Sequence, residues 1–74
     1  MRQEIIEIIS NIRPEIAFDP LQDTELFGLL DSLDIILIVD KIESQLGVTI
    51  EADQIVPQNF SSLNILVAFV MGCT

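Results

Sequence analysis

The most constraining feature of this chain is one amphipathic segment with a helix-ending signal on each side. It begins at Asp31 and Ser32, two residue types preferred at the N-cap of a helix, and it stops at Gly47, a residue type favoured just past a helix C-terminus. Between them the apolar residues recur at about 100° per residue, the spacing of one helix face. The predicted core-facing stripe consists of Ile35, Ile38, Val39, Ile42 and Leu46.

The opposite face of this helix is not uniformly polar. It carries Leu33, Leu37, Asp40 and Ser44, with Ile36 at its margin. One exposed leucine would need no explanation, but several apolar residues clustered on the outer face do. Either they contact a partner, or Leu37 packs beneath the preceding loop through Phe18 or Phe27.

Two further helices are predicted at the ends of the chain. The first ends at Pro14, and its apolar positions are Ile5, Ile6, Ile9 and Ile12. The last is capped by Ser61 or Ser62, and its apolar side consists of Leu63, Leu66, Val67 and Val70. We expect the central stripe to pack on Ile9 and Leu66.

The segments between the helices complete the predicted architecture. The apolar residues within 14–30 do not recur at one regular spacing, so this segment predicts a long loop. We expect its apolar residues to anchor it on the core: Ile16, Phe18, Leu21, Leu26 and Phe27. Residues 48–50 predict an extended connector, and Glu51 to Ile55 one short helical turn. The fold class is therefore predicted as all-α: a small antiparallel bundle of three main helices plus a short fourth, with a long first loop.

Length and charge narrow the function classes. A chain of 74 residues predicts one domain spanning residues 1–74. Its 12 acidic and three basic residues give a formal net charge of −9, which argues against a nucleic-acid partner. The charge favours a basic protein partner or simple solubility, and both remain open. We expect a monomer. We expect a cytoplasmic location, because no apolar run is long enough to span a membrane and Cys73 is the only cysteine.

Catalysis and metal binding are not expected. The chain has no histidine, and its three glycines are isolated rather than arranged in a phosphate-binding loop. The acids Asp19, Asp23 and Glu25 lie close together but lack the spacing of a calcium loop.

The tripeptide Asp31-Ser32-Leu33 is weak by itself, but its setting is distinctive. It follows the long loop within the string GLLDSLD, opens the amphipathic helix, and precedes Leu46-Gly47-Val48-Thr49-Ile50. Across nearly its whole length the chain resembles the acyl and peptidyl carrier proteins. The alternatives are a serine that only caps its helix, in an unrelated acidic bundle, and a carrier-like module with an unmodified serine that only binds partners.

The resemblance implies a cofactor and a set of partners. In that family a serine after Asp at the start of the second helix carries 4′-phosphopantetheine, which places the arm on Ser32. Asp31 is then expected to orient the serine, or to bind the phosphopantetheinyl transferase and its metal. The other expected partners are an acyl- or aminoacyl-activating ligase and downstream transferases or synthases. The thioester thiol belongs to the arm, so the protein needs no catalytic residue.

The pattern is most similar to the D-alanyl carrier proteins and related stand-alone aminoacyl carriers. Leu29 stands where fatty-acid carriers usually have glycine, and Leu37 and Ser44 stand where they typically have acids. D-alanylation or secondary-metabolite synthesis is therefore expected, with fatty-acid synthesis as the alternative. The expected partner-binding face consists of Leu33 and Leu37 ringed by Asp34 and Asp40.

Overall fold

The computed structural model describes residues 1–19 and 21–73. It contains three α-helices, which we label α1 (Arg2–Ile12), α2 (Ser32–Leu46) and α3 (Leu63–Gly72), and two 3-10 helices at Ala52–Gln54 and Pro57–Phe60. The described residues form no strand, only an isolated antiparallel bridge between Glu25 and Ser62. The all-α prediction, with three main helices and a long first loop, is confirmed.

The core is built where the three helices face one another. Each contributes branched apolar side chains spaced three or four residues apart, so that they share one face. The buried apolar residues of the helices are Ile5, Ile8 and Ile9 of α1, Ile38, Val39 and Ile42 of α2, and Leu63, Leu66 and Val70 of α3. Ile9 and Leu66, on which the central stripe is expected to pack, belong to the same buried core cluster as Ile38, Val39 and Ile42.

The predicted stripe of α2 is too long at both ends. Ile35 and Leu46 are only partly buried, because each lies in a terminal turn, where fewer neighbouring elements cover the helix. Ile35 lines an open cavity at the start of α2 instead.

The long first loop is fastened to the start of α3. The backbone N–H of Leu26 donates to the carbonyl of Ser61 at 2.8 Å, and the N–H of Leu63 donates to the carbonyl of Thr24 at 2.8 Å. Leu26 is fully buried, and Ile16 and Phe18 are partly buried against the core. The expectation that Leu21 and Phe27 are anchors is wrong: they are 90% and 69% exposed. Backbone hydrogen bonds hold the loop without burying these two side chains, and one of them runs from the N–H of Phe27 to the carbonyl of Ser61 at 3.1 Å.

The segment between α2 and α3 contains the predicted short helical turn, but no fourth α-helix among the described residues. The turn predicted over Glu51 to Ile55 is a 3-10 helix at Ala52–Gln54. A second 3-10 helix, which the sequence did not predict, starts at Pro57, a residue suited to the first helical position. It buries Phe60, whose ring packs edge-on to Phe69 with centroids 6.0 Å apart. Among the described residues, no helix combines the length and the apolar character that crossing a membrane requires.

Candidate functional site

Ser32 is the first residue of α2, and its side chain has no structural task that the described residues reveal. Asp31 is the N-cap and accepts a hydrogen bond from the backbone N–H of Asp34 at 2.9 Å. The Asp34 carboxylate in turn accepts from the backbone N–H of Asp31 at 3.2 Å, which completes a reciprocal capping box. Ser32 lies between these two residues, exposed, and its hydroxyl bonds to none of the described residues.

These hydrogen bonds argue against the interpretation of Ser32 as a residue that only caps its helix. Capping is done by Asp31, so the hydroxyl of Ser32 is not consumed by the helix. The backbone N–H groups of Ser32 and Leu33 likewise donate to no described residue. A phosphate group on the Ser32 oxygen would therefore lie beside unpaired donors and the positive end of the helix dipole.

Arg13 joins the end of α1 to the start of α2. Its Nε and Nη2 atoms each lie 2.6 Å from Oδ2 of Asp34, and Nη2 lies 3.5 Å from Oδ2 of Asp31. Nη1 lies 3.1 Å from Oε2 of Glu15. Hydrogen bonding to the Arg13 guanidinium lowers the pKa of Asp34, although burial opposes that shift. The same bond raises the pKa of Arg13.

The placement of Asp34 on an exposed partner rim is wrong. The residue is 7% exposed, because its carboxylate turns inward to the Asp31 backbone and the Arg13 guanidinium. The helical projection gave its angular position correctly but could not show that a cation from another element lies there. Sequence reasoning also missed Arg13, whose only visible signal was a cation next to the proline that ends α1.

The other residues expected on the outer face of α2 are exposed. Leu33 is 63% and Leu37 is 43% exposed, and Asp40 is also on the surface. Leu37 does not pack beneath the loop to the extent that the competing interpretation requires. The apolar face continues through Ile36, which is 59% exposed.

Open space adjoins Ser32. A cavity of about 320 Å³ lies at the start of α2, between the loop and the second 3-10 helix. It is lined by Leu26, Phe27, Gly28, Leu30, Asp31, Ser32, Ile35, Pro57 and Phe60. A second of about 220 Å³ includes Ser32, Ile36 and Val56. The described residues hold no cluster of potential metal ligands. What the site offers chemically is one accessible hydroxyl beside an apolar recess.

Comparison with known proteins agrees with this geometry. A family model described as a phosphopantetheine attachment site matches residues 3–70, which include all of α2 and most of α1 and α3. The chain matches no curated protein. It matches no solved structure either.

Proposed function

The chain belongs to the family that bears a phosphopantetheine attachment site, and on that premise we propose that Ser32 is the residue to which the arm is attached. The cofactor of this family is covalent 4′-phosphopantetheine, whose terminal thiol holds cargo as a thioester. The observation that carries the assignment to Ser32 is its exposed hydroxyl, left free at the start of α2 because Asp31 performs the capping.

The residues around Ser32 fit such a group. The attachment forms a bond between Ser32 Oγ and phosphorus, breaks the phosphoanhydride bond of coenzyme A, and releases the adenosine bisphosphate portion. The hydroxyl proton passes to a base of the transferase. The N–H groups of Ser32 and Leu33, which donate to no described residue, would be available as donors to the phosphodiester. Asp31 positions the turn, or meets the transferase and its metal.

The protein itself then acts as a non-catalytic carrier that presents an acyl or aminoacyl group to partner enzymes. We propose D-alanylation or secondary-metabolite synthesis as its pathway. Support comes from Leu29 in place of the glycine of fatty-acid carriers, and from Leu37 and Ser44 in place of acids. Fatty-acid synthesis is the alternative. Drawing the arm from coenzyme A implies a cytoplasmic location.

The partner surface that we propose consists of Leu33 and Leu37 with Asp40 beside them. All three are exposed on α2, the helix that begins at Ser32. A carrier must dock with the transferase and then with other enzymes, so small, transient contacts with apolar anchors suit it. The overall charge of −9 favours basic surfaces on those enzymes.

The experiment that tests the attachment site uses intact mass. The protein is incubated with coenzyme A, Mg²⁺ and a promiscuous phosphopantetheinyl transferase. Wild type is expected to gain one phosphopantetheine group and Ser32→Ala none. Ser44→Ala is the matched control, since Ser44 is also an exposed serine of α2, and it is expected to be modified like wild type. A modified Ser32→Ala protein would contradict the assignment.

A further inference from the structure

Arg13 is held at a point where it can control the first turn of α2. It directly follows the last residue of α1, and its backbone N–H donates to the carbonyl of Ile9 at 2.7 Å. Pro14 follows it and cannot extend the helix. The backbone of Arg13 is thus fixed by α1, while its side chain contacts both carboxylates that flank Ser32.

The Asp34 carboxylate is the element that Arg13 acts on. Its Oδ2 atom accepts from Arg13 and also from the backbone N–H of Asp31, so one oxygen joins α1 to the N-cap of α2. Asp34 is buried, and a buried carboxylate without a cation is strongly unfavourable. Removing Arg13 would drive this carboxylate toward water, and the bond to the Asp31 backbone would be lost with it.

We propose that Arg13 is a positioning residue for the modification of Ser32: by holding Asp34 in the capping box, it fixes the backbone from which the Ser32 hydroxyl projects. This inference rests on the proposed function. Its physical basis is that a reacting oxygen displaced by about 1 Å from its attack geometry can cost a large factor in rate. Arg13 does not touch the reacting atoms, so its effect passes through Asp34 and Asp31.

The role predicts which kinetic constant changes. Loosening the turn lowers the fraction of docked complexes in which the hydroxyl is correctly placed, which lowers kcat. A role of Arg13 in binding the transferase would change KM instead. Neutralising Arg13 also makes the surface near Ser32 more negative. A basic transferase would be attracted by that charge, so the substitution is not expected to raise KM by electrostatic repulsion.

The experiment measures arm attachment at a temperature well below melting, with coenzyme A, Mg²⁺ and a promiscuous transferase. Arg13→Met keeps the alkyl chain and is expected to lower kcat roughly tenfold, with KM changed less than about twofold. Arg2→Met is the matched control. Arg2 lies at the opposite end of α1 and bonds to Asn64 and to the carbonyl of Gln22. The transferase is therefore expected to modify Arg2→Met with the same kcat as wild type.

A double-mutant cycle shows whether the effect passes through Asp34. Asp34→Asn is expected to lower kcat by itself, and adding Arg13→Met should lower it little further. If Arg13→Met does not fold, Arg13→Lys decides: lysine lacks the guanidinium fork, so a kcat below that of wild type is expected.

Four results would overturn the inference: unchanged kcat in the Arg13 variants, an equal loss in Arg2→Met, additive losses in the double variant, or a change in KM alone. A wild-type chain that is never modified would instead refute the proposed function, so the two failures are distinguishable.

Discussion

At the scale of single residues, the start of α2 uses one residue to cap the helix and another to present a hydroxyl, although a serine could do both. Asp31 and Asp34 satisfy the helix end through their reciprocal hydrogen bonds, and Ser32 is left accessible between them. Arg13, which follows α1, forms ion pairs with both of these carboxylates. The site therefore depends on a charged cluster in which each side chain has an assigned hydrogen-bond partner, except the serine.

The pairing of Arg13 with Asp34 predicts a pH-dependent contribution to stability. Because Arg13 lowers the pKa of Asp34 in the folded protein, the contribution is complete above the unfolded-state pKa of about 3.9 and is lost as the pH falls through the lower folded pKa. The destabilisation caused by Arg13→Met should thus be larger at about pH 7 than at about pH 2. Urea unfolding at both pH values measures it.

The Asp34→Asn background is the control for this pH dependence. There the effect of Arg13→Met should vary much less with pH, because residue 34 no longer carries a carboxylate that loses its charge as the pH falls. An Arg13→Met effect that is equally large at both pH values in the native background would contradict the account.

Gly47 supplies a second prediction at this scale. It ends α2 with φ of 69°, in the left-handed region, and its N–H donates to the carbonyl of Glu43 at 3.1 Å. Gly47→Ala should lower the free energy of unfolding by about 1–2 kcal/mol, because a Cβ disfavours that conformation.

Gly72→Ala is the matched control for Gly47. A Cβ added at either glycine would meet nothing within 4 Å, but the φ of Gly72 is not positive. Gly72→Ala should change stability by less than about 1 kcal/mol, and in the favourable direction. Equal losses in the two variants, measured by urea unfolding, would show that backbone conformation is not the cause.

At the scale of elements, α2 has one face for the core and one for the surface. Ile42 is fully buried, whereas Ile36 of the same helix is 59% exposed. Ile42→Ala should cost about 2–5 kcal/mol, the range for a large-to-small change in a core. Ile36→Ala should change stability by no more than about 0.5 kcal/mol. Thermal melting of both variants checks the assignment, which fails if their melting temperatures match.

The periodic parts of this architecture could be predicted from sequence, because helical spacing depends only on nearby residues. That is why α1, the centre of the α2 stripe and α3 were found. Burial at Ile35 and Leu46 was overestimated, since projection ignores where the neighbouring elements end. Leu21 and Phe27 were misplaced for a related reason: apolar character alone does not show which loop residues reach the core.

Within the site, the part that could be predicted was the local one. The Asp31 cap and the accessible Ser32 follow from adjacent residues. The contact between Arg13 and Asp34 joins residues 21 positions apart across an aperiodic loop, so no spacing rule signals it. The inward turn of Asp34 was missed with it.

At the scale of the whole molecule, the proposed partner surface on α2 and the net charge of −9 together predict how a partner enzyme would bind. The transferase is one enzyme with which every such carrier must dock. Leu37→Ala should raise the KM of arm attachment about fivefold, equivalent to about 1 kcal/mol. The melting temperature should change little, because Leu37 is 43% exposed.

Asp40→Asn is the matched comparison for Leu37, because it removes charge from the same exposed face. Its effect on KM should fade as salt is added, while the effect of Leu37→Ala should persist. A large fall in melting temperature for Leu37→Ala, with normal modification of the folded protein, would place Leu37 in the core.

If this chain is a carrier whose arm is attached to Ser32, the modification should be found at that serine in the wild-type protein. After incubation with coenzyme A, Mg²⁺ and a promiscuous transferase, the protein is digested with trypsin, which cuts after Arg2 and Lys41 but not between Arg13 and Pro14. The resulting peptide, residues 3–41, is fragmented in a mass spectrometer. That peptide contains two serines, Ser10 and Ser32. We expect one phosphopantetheine group, on Ser32. A peptide that stays unmodified, or one that carries the group on Ser10, would contradict it.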